Sequence, residues 1–157
     1  MEQIKFDNNL LVIEIEKVPM IIKFILNFLL AICILMPIVV TYVLFYSGLT
    51  IGILISYAFF WGIGFFILRF VLWNTYGQEV ITFKRDRITY YADFKLFKDG
   101  LRTIKNREIT YEIFEEIKEK GRLIIENETE KIETSIKIPI KDLLILIEKI
   151  KTTPYNT

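Results

Sequence analysis

Two long apolar runs joined by a short uncharged turn constrain this chain more than any other feature. Residues 24–46 form a run of 23 residues without a charge, and residues 49–68 form a second uncharged run of 20. About 20 apolar residues, each rising about 1.5 Å in a helix, cross a hydrocarbon layer about 30 Å thick. Helices that are apolar on every side would need a covering shell in a soluble protein. The sequence therefore predicts a transmembrane helical hairpin over residues 18–72, with helices at about 20–46 and 49–72.

The charges around the hairpin predict its orientation. Basic residues precede the first run at Lys5, Lys17 and Lys23 and follow the second at Arg69, Lys84, Arg85 and Arg87. The turn between the runs has neither Lys nor Arg, so the positive-inside rule puts both termini in the cytoplasm. The first 17 residues carry four acidic side chains, unlike the basic leader of a secretory signal. We expect a two-pass membrane protein that retains both helices.

The composition argues against an enzyme. The chain has no histidine, and its one cysteine, Cys33, lies inside the first apolar run. The commonest general base and metal ligand is therefore missing, and a thiolate metal site or an internal disulfide is excluded. There is also no glycine-rich phosphate loop and no nucleophile placed beside a base. We expect no catalytic residues, no metal and no cofactor.

Small residues recur in the second helix at a spacing typical of helix packing. Gly48, Gly52, Ser56 and Gly64 share one helical face, and Ala58 and Gly62 form a second pair four residues apart. They either seat the first helix in a single hairpin or pack copies together as a homo-oligomer. Neither run has an Asp, Glu, Lys or Arg at mid-depth, which argues against a coupled transporter and leaves an oligomeric pore open.

The remainder of the chain alternates apolar and polar residues as strands do. We expect about seven strands, at residues 10–16, 80–84, 88–94, 101–105, 109–117, 123–125 and 132–138. Turn signals lie at Arg85-Asp86, Asp99-Gly100, Lys120-Gly121 and residues 127–130. A final helix at about 139–151 has an apolar face of Ile140, Leu143, Leu144, Ile147 and Ile150, with Ile145 on the far side as a candidate membrane or partner contact. Residues 1–17 and 77–157 then form one discontinuous cytoplasmic β domain, a small barrel or sandwich.

The near-neutral total charge hides a division within this β domain. Residues 84–107 hold eight basic residues and three aspartates: Lys84, Arg85, Arg87, Lys95, Lys98, Arg102, Lys105 and Arg107 are the basic ones. Residues 108–133 hold nine glutamates and four basic residues. The basic stretch is a candidate anion-binding site, and its aromatics Tyr90, Tyr91, Phe94 and Phe97 are candidates for stacking on bases. The alternatives are solvated strand faces with the aromatics in the core, or contact between the basic and acidic segments of neighbouring subunits.

Several short stretches resemble a group of small bacterial two-pass membrane proteins with a pleckstrin-homology-like (PH-like) domain. These stretches are Trp61-Gly62, Leu72-Trp73-Asn74-Thr75-Tyr76-Gly77-Gln78-Glu79-Val80-Ile81, Arg87-Ile88-Thr89-Tyr90 and Lys137-Ile138-Pro139-Ile140. The resemblance implies a membrane α+β protein whose hairpin is inserted into a PH-like split β-barrel closed by a C-terminal amphipathic helix. It implies a binding module without catalytic residues. The loop lengths depart from the family's pattern.

The sequence favours a non-enzymatic two-pass protein whose β domain binds an anionic ligand or a cytoplasmic protein partner. Binding would control assembly of the hairpin in the lipid bilayer, as a ligand-gated ion channel or a membrane-disrupting effector. In layout alone the chain resembles membrane effectors of bacterial antiphage defence, whose β domains sense a nucleotide. The alternative function is a passive scaffold that holds a partner protein at the membrane.

Overall fold

The computed structural model describes residues 3–7, 9–16, 18–46, 50–115 and 119–153, without the side chains of residues 50 and 115. Gly48 of the predicted packing face lies outside the described residues, as does the turn between the helices. The chain divides into two compact units. One, the hairpin unit, is Lys17–Thr75, and the other, the β domain, combines Met1–Glu16 with Tyr76–Thr157.

The hairpin unit contains the two long apolar helices that the run lengths predict. Helix α1 is Met20–Tyr46 and helix α2 is Thr50–Tyr76. Both are long and apolar enough to cross a membrane, and only 11% and 6% of their most apolar windows are buried. A core helix of a soluble protein would be mostly covered, so their exposure agrees with a lipid environment.

Within the hairpin unit the two sets of small residues have different surroundings. A Cβ atom added to Gly64 would lie 3.2 Å from Cβ of Cys33, and one added to Gly52 would lie 2.9 Å from Cδ1 of Leu44. Ser56 on the same face is also buried, and its hydroxyl donates a hydrogen bond of 2.9 Å to the carbonyl of Ile53. This face of α2 therefore lies against α1, where larger side chains do not fit.

The second pair of small residues lies away from α1. A Cβ atom added to Gly62 would meet nothing within 4 Å, and Ala58 is exposed. The hairpin unit therefore leaves this pair uncovered. Gly64, which lies against α1, and Gly62, which is uncovered, are matched positions at which the same substitution should have different effects on packing.

The β domain consists of two antiparallel sheets and a helix. The first sheet, in spatial order, is β1 (Ile4–Asp7), β2 (Leu10–Glu14), β3 (Gln78–Phe83), β4 (Arg87–Asp93) and β5 (Lys98–Lys105). The second is β6 (Thr110–Glu115), β7 (Lys120–Glu126) and β8 (Lys131–Glu133), with β9 (Ile138–Pro139) also paired to β7. Helix α3 is Ile140–Thr152 and packs on β6, β7 and β9. The general α+β layout is thus confirmed.

The hairpin enters and leaves the first sheet between two neighbouring strands. Strands β2 and β3 pair antiparallel with Glu14 opposite Gln78, and the N–H of Ile15 donates a 3.1 Å hydrogen bond to the carbonyl of Gly77. We call this end of the sheet the hairpin end. The opposite end, where Arg87 pairs with Lys105, is the far end.

Two predicted turn positions lie inside strands in the structure. The turn predicted at Asp99-Gly100 is instead formed at residues 94–97, and β5 already begins at Lys98. Gly100, with φ of 65°, lies where the register between β4 and β5 shifts, so its conformational freedom serves a β-bulge rather than a turn. Gly121 likewise lies inside β7, and the connection before it includes residues 116–118, outside the described residues.

The predicted last strand is interrupted in the structure. The alternation predicts one strand over residues 132–138, but β8 ends at Glu133 and β9 begins at Ile138. Between them, the backbone N–H groups of Ser135 and Ile136 donate hydrogen bonds to the carboxylate of Glu79, which interrupts the strand. The described residues therefore contain nine strands rather than about seven.

The predicted C-terminal helix is confirmed, but its buried face is rotated. Leu143, Leu146, Ile147 and Ile150 are buried, whereas Leu144 is exposed. Leu146 completes the i, i+3, i+4, i+7 stripe that begins at Leu143, which turns Leu144 outward beside the exposed Ile145.

The close contact at Gly64 makes the cysteine a reporter of hairpin packing. We expect Gly64→Val to separate the helices near Cys33, because overpacking a tight contact costs about 1–3 kcal/mol. The chain has a single cysteine, so labelling by a membrane-permeant maleimide in detergent should become faster. Gly62→Val is the matched control and should leave the labelling rate unchanged. Equal rates in the two variants would contradict this packing.

Candidate anion-binding site

Basic side chains from two connections gather at the far end of the first sheet. The turn between β3 and β4 and the segment after β5 line an open cleft of about 700 Å³. Its lining residues are Arg85, Asp86, Arg87, Thr103, Ile104, Lys105, Asn106, Arg107 and Glu130. Four of the eight predicted anion-binding residues are therefore brought together here, and we call this the basic cleft.

Backbone and amide hydrogen bonds hold the two walls of the basic cleft together. The N–H of Lys84 donates to the carbonyl of Arg87 at 2.9 Å, which closes the turn between β3 and β4. The Asn106 side chain donates to the carbonyl of Lys84 at 2.8 Å, and its backbone N–H donates to the carbonyl of Asp86 at 3.0 Å. The position of Asn106 is thus set by the neighbouring turn, and with it the direction of the segment after β5.

The strand register places like charges opposite each other at the cleft. Arg87 and Lys105 are directly paired partners on β4 and β5. Like charges directly opposite on a sheet are destabilising, so a bound anion would relieve a repulsion that the register creates. Arg87 lies 3.8 Å from the carboxylate of Asp86, but both side chains are more than half exposed, so this ion pair is weak.

A smaller recess of about 210 Å³ adjoins the basic cleft. It is lined by Lys105, Arg107, Glu108, Asn127, Glu128 and Thr129. The predicted turn at residues 127–130 is confirmed, because the Asn127 carboxamide oxygen accepts the N–H groups of Thr129 at 3.0 Å and of Glu130 at 2.7 Å. The amide nitrogen of Asn127 donates to the carbonyl of Lys105 at 3.1 Å. This turn of the second sheet is thereby tied to the end of β5.

Of the other four predicted basic residues, Lys84 lies beside the cleft in the turn between β3 and β4, and three lie elsewhere in the first sheet. Lys95 and Lys98 are at the hairpin end, where their ammonium groups lie 4.1 Å from the ring centroid of Tyr76 and 4.5 Å from that of Tyr91. Arg102 is in the middle of β5, paired with Tyr90. The basic stretch therefore separates into a far-end group around the cleft and a hairpin-end pair, with Arg102 between them.

The four aromatic candidates for stacking do not line the basic cleft. Tyr90 is buried, and Tyr91 is half-buried beneath Lys98. Phe94 is buried and stacks on Phe97 with ring centroids 4.7 Å apart. Base stacking by these rings stays a prediction. The cleft itself offers four cationic side chains and Asn106, beside the carboxylates of Asp86 and Glu130.

A buried carboxylate that the sequence reading missed lies between the two sheets. Glu79 of β3 is fully buried and accepts hydrogen bonds from the hydroxyl of Tyr90 at 2.7 Å and the N–H groups of Ser135 at 2.6 Å and Ile136 at 3.3 Å. Alternation along β3 is the sequence signal that indicates an inward position for this residue. Residues 79 and 81 face the same side of the strand, and residue 81 is the apolar Ile81. An acid at an inward position needs partners. Here Tyr90 belongs to the same sheet as Glu79, and the N–H groups of Ser135 and Ile136 come from the other sheet.

Burial changes the proton affinity of this group. Desolvation raises the pKa of Glu79 above its usual value, while the hydrogen bonds from Ser135, Tyr90 and Ile136 oppose that rise. Burial and the adjoining carboxylate also raise the pKa of Tyr90, so the phenol remains a hydrogen-bond donor. The pair is a structural link between the sheets, away from the residues that line the cleft.

Comparisons with protein-family models, with curated proteins and with solved structures find no match to this chain. Membership of the PH-like group therefore stays a prediction. The function has to be argued from the cleft, the hairpin and their chemistry.

The raised pKa predicts how the stability of the β domain depends on pH. A carboxyl group with a higher pKa in the folded than in the unfolded chain binds its proton more tightly when folded. The free energy of unfolding therefore falls as pH rises from about the ordinary value of 4.5 through the raised pKa. In Glu79→Gln this titration is absent, so the stability of wild type relative to the variant should decline over that range. Hydrogen exchange of β3 amides in detergent measures it, and a pH-independent difference would contradict the prediction.

Proposed function

We propose that this chain is a non-enzymatic two-pass membrane protein whose β domain binds a phosphate-bearing anion in the basic cleft. The observation that carries the proposal is the convergence of Arg85, Arg87, Lys105 and Arg107 on one open cleft. Guanidinium groups match phosphate oxygens with paired hydrogen bonds, and Lys105 adds a point charge. Binding then controls assembly of the hairpin.

The lining of the cleft favours recognition of phosphate over recognition of a base. No aromatic ring is among the lining residues that the structure describes, so a base would lack a stacking surface. The cleft also lies at the far end, about 20 Å along the six residues of β3 from the point where the chain passes to the hairpin. We therefore favour a soluble nucleotide or oligonucleotide, held by its phosphates, over a lipid headgroup.

We also propose that the β domain is PH-like. Two antiparallel meanders followed by a helix that packs on the second sheet support this assignment. This is the order that a split barrel closed by a C-terminal helix requires. Binding at connections between strands, rather than catalysis in a pocket, is the activity such a scaffold suits.

The proposed location is the bacterial inner membrane, with both termini in the cytoplasm. The length and exposure of α1 and α2 support a spanning hairpin. Lys5 before the hairpin and the basic cleft after it belong to the same β domain, so the positive-inside rule applies to that domain as one body.

Contact between copies is the proposed consequence of binding. The uncovered pair Ala58 and Gly62 supports it, because small residues four apart allow close approach of helices in lipid. An oligomer of hairpins would suit a pore or a membrane-disrupting effector. A passive scaffold for a partner protein is the alternative function, and it requires no such assembly.

Charge reversal at the cleft should abolish anion binding. We expect Arg87→Glu combined with Lys105→Glu to weaken binding of fluorescent ATP and of a short single-stranded oligonucleotide at least tenfold, with the full chain in detergent. Lys95→Glu combined with Lys98→Glu makes the same change in net charge at the hairpin end and should bind like wild type. Wild-type binding should weaken with salt because the cations are exposed. Equal losses in both double variants would show a non-specific charge effect and contradict the site.

The assembly proposal predicts more than one copy per complex. Mass measurement in nanodiscs should give a homo-oligomer with ATP but not without it, and Gly62→Leu should dissociate that oligomer. If the oligomer is a pore, ion efflux from liposomes should require ATP and should be lost in Gly62→Leu. A monomer under all conditions would contradict assembly and leave the scaffold as the better interpretation.

A further inference from the structure

A rigid turn projects from the hairpin end of the first sheet. In the connection between β4 and β5, the N–H of Phe94 donates to the carbonyl of Phe97 at 3.0 Å, and the two rings stack. Lys95 has a φ of 72°, and its N–H donates to the carboxylate of Asp93 at 2.7 Å. The conformation of this turn is therefore set by its own contacts.

The turn holds an apolar side chain in the open between two lysines. Leu96 is 71% exposed, and Lys95 and Lys98 on either side are exposed as well. A single exposed leucine is ordinary on a protein surface, but one held at the tip of a turn between lysines has the composition of a membrane-interface contact. The nearby rings of Tyr76 and Tyr91 add the aromatic groups that are typical of that interface.

The position of the turn agrees with this composition. Asp93 at the end of β4 pairs with Gln78, the first residue of β3. The ammonium group of Lys95 lies 4.1 Å from the ring of Tyr76, the last residue of α2. The turn is therefore at the end of the β domain where the chain passes to the apolar helices.

We propose that this turn docks on the surface of the lipid bilayer. Leu96 enters the boundary between headgroups and acyl chains, and Lys95 and Lys98 bind lipid phosphates from above it. Asp93 and Asp99 flank the turn, but each binds a neighbouring backbone N–H, of Lys95 and Gly100. Lys95 and Lys98 are exposed whereas Asp93 and Asp99 are half-buried, so the lysines supply the more accessible charges.

This inference goes beyond anion binding at the cleft and rests only on insertion of the hairpin, which is part of the proposed function. It gives the hairpin-end pair of basic residues a ligand different from that of the far-end group. The partner is a lipid bilayer that contains anionic lipid, and vesicles of phosphatidylcholine with phosphatidylserine are the probe. A second copy of the chain is the competing occupant.

Depth-dependent quenching in vesicles tests the contact. In full-length Cys33→Ala protein, an environment-sensitive NBD fluorophore is attached to Leu96→Cys, and spin-labelled lipids quench it. Leu10→Cys, at the far end of the same sheet, is the negative control, and Val39→Cys, exposed on α1, is the positive control. We expect the Leu96 probe to be quenched several-fold more than the Leu10 probe, with blue-shifted emission.

The other outcomes separate this inference from the proposed function. Quenching at Val39 but equally little at Leu96 and Leu10 would overturn the docking and leave the membrane hairpin intact. No quenching at Val39 would overturn both. A blue shift at Leu96 without lipid quenching would assign the surface to another protein copy and overturn the docking.

Charge reversal tests the two lysines. Lys95→Glu combined with Lys98→Glu should reduce quenching at Leu96 at least twofold in vesicles that contain phosphatidylserine. Arg87→Glu combined with Lys105→Glu changes the net charge equally and should leave it unchanged. Unaltered quenching in the first variant would overturn the role of the lysines.

Discussion

The hydrogen bonds of Glu79 join the two sheets of the β domain, and much of the architecture depends on them. The carboxylate lies in β3 and receives N–H groups from the segment after β8. A buried carboxylate is costly unless it is satisfied, so the second sheet has to supply its backbone donors at this place. That requirement interrupts the last strand and sets where β8 ends. The turn at residues 127–130, just before β8, is thereby held beside the end of β5, where it borders the basic cleft.

Sequence patterns predicted the helices that depend only on neighbouring residues in the chain. The two long helices follow from the length of the apolar runs, and α3 follows from its helical periodicity. The break after β8 could not be read in this way, because its cause, Glu79, is more than fifty residues away in the chain. Asp99-Gly100 was misread because a glycine with positive φ serves a bulge as well as a turn. In α3, the buried face includes Leu146 in place of Leu144, so Leu144 lies at the surface.

The candidate site shows a similar limit. Composition identified the basic stretch, but only the register of β4 and β5 separates it into groups at opposite ends of one sheet. Arg87 and Lys105 are distant in sequence and adjacent in space, whereas Lys95 and Lys98 are close to Arg87 in sequence and lie at the other end. Antiparallel pairing thus turns one charged segment into two surfaces. Each surface can contact a different kind of anion without competing with the other.

The insertion of the hairpin between paired strands has a consequence for biogenesis. Strand β2 is synthesised before either helix, but its partner β3 follows both of them. If the helices span a membrane as proposed, the edge of β2 that later pairs with β3 stays unpaired while they are inserted, and such an edge can pair with other chains. In such a hairpin, β2 and β3 can pair only when both helices have returned the chain to the same side of the membrane. Pairing of β2 with β3 would therefore require that the proposed hairpin has both of its ends on one side of the membrane.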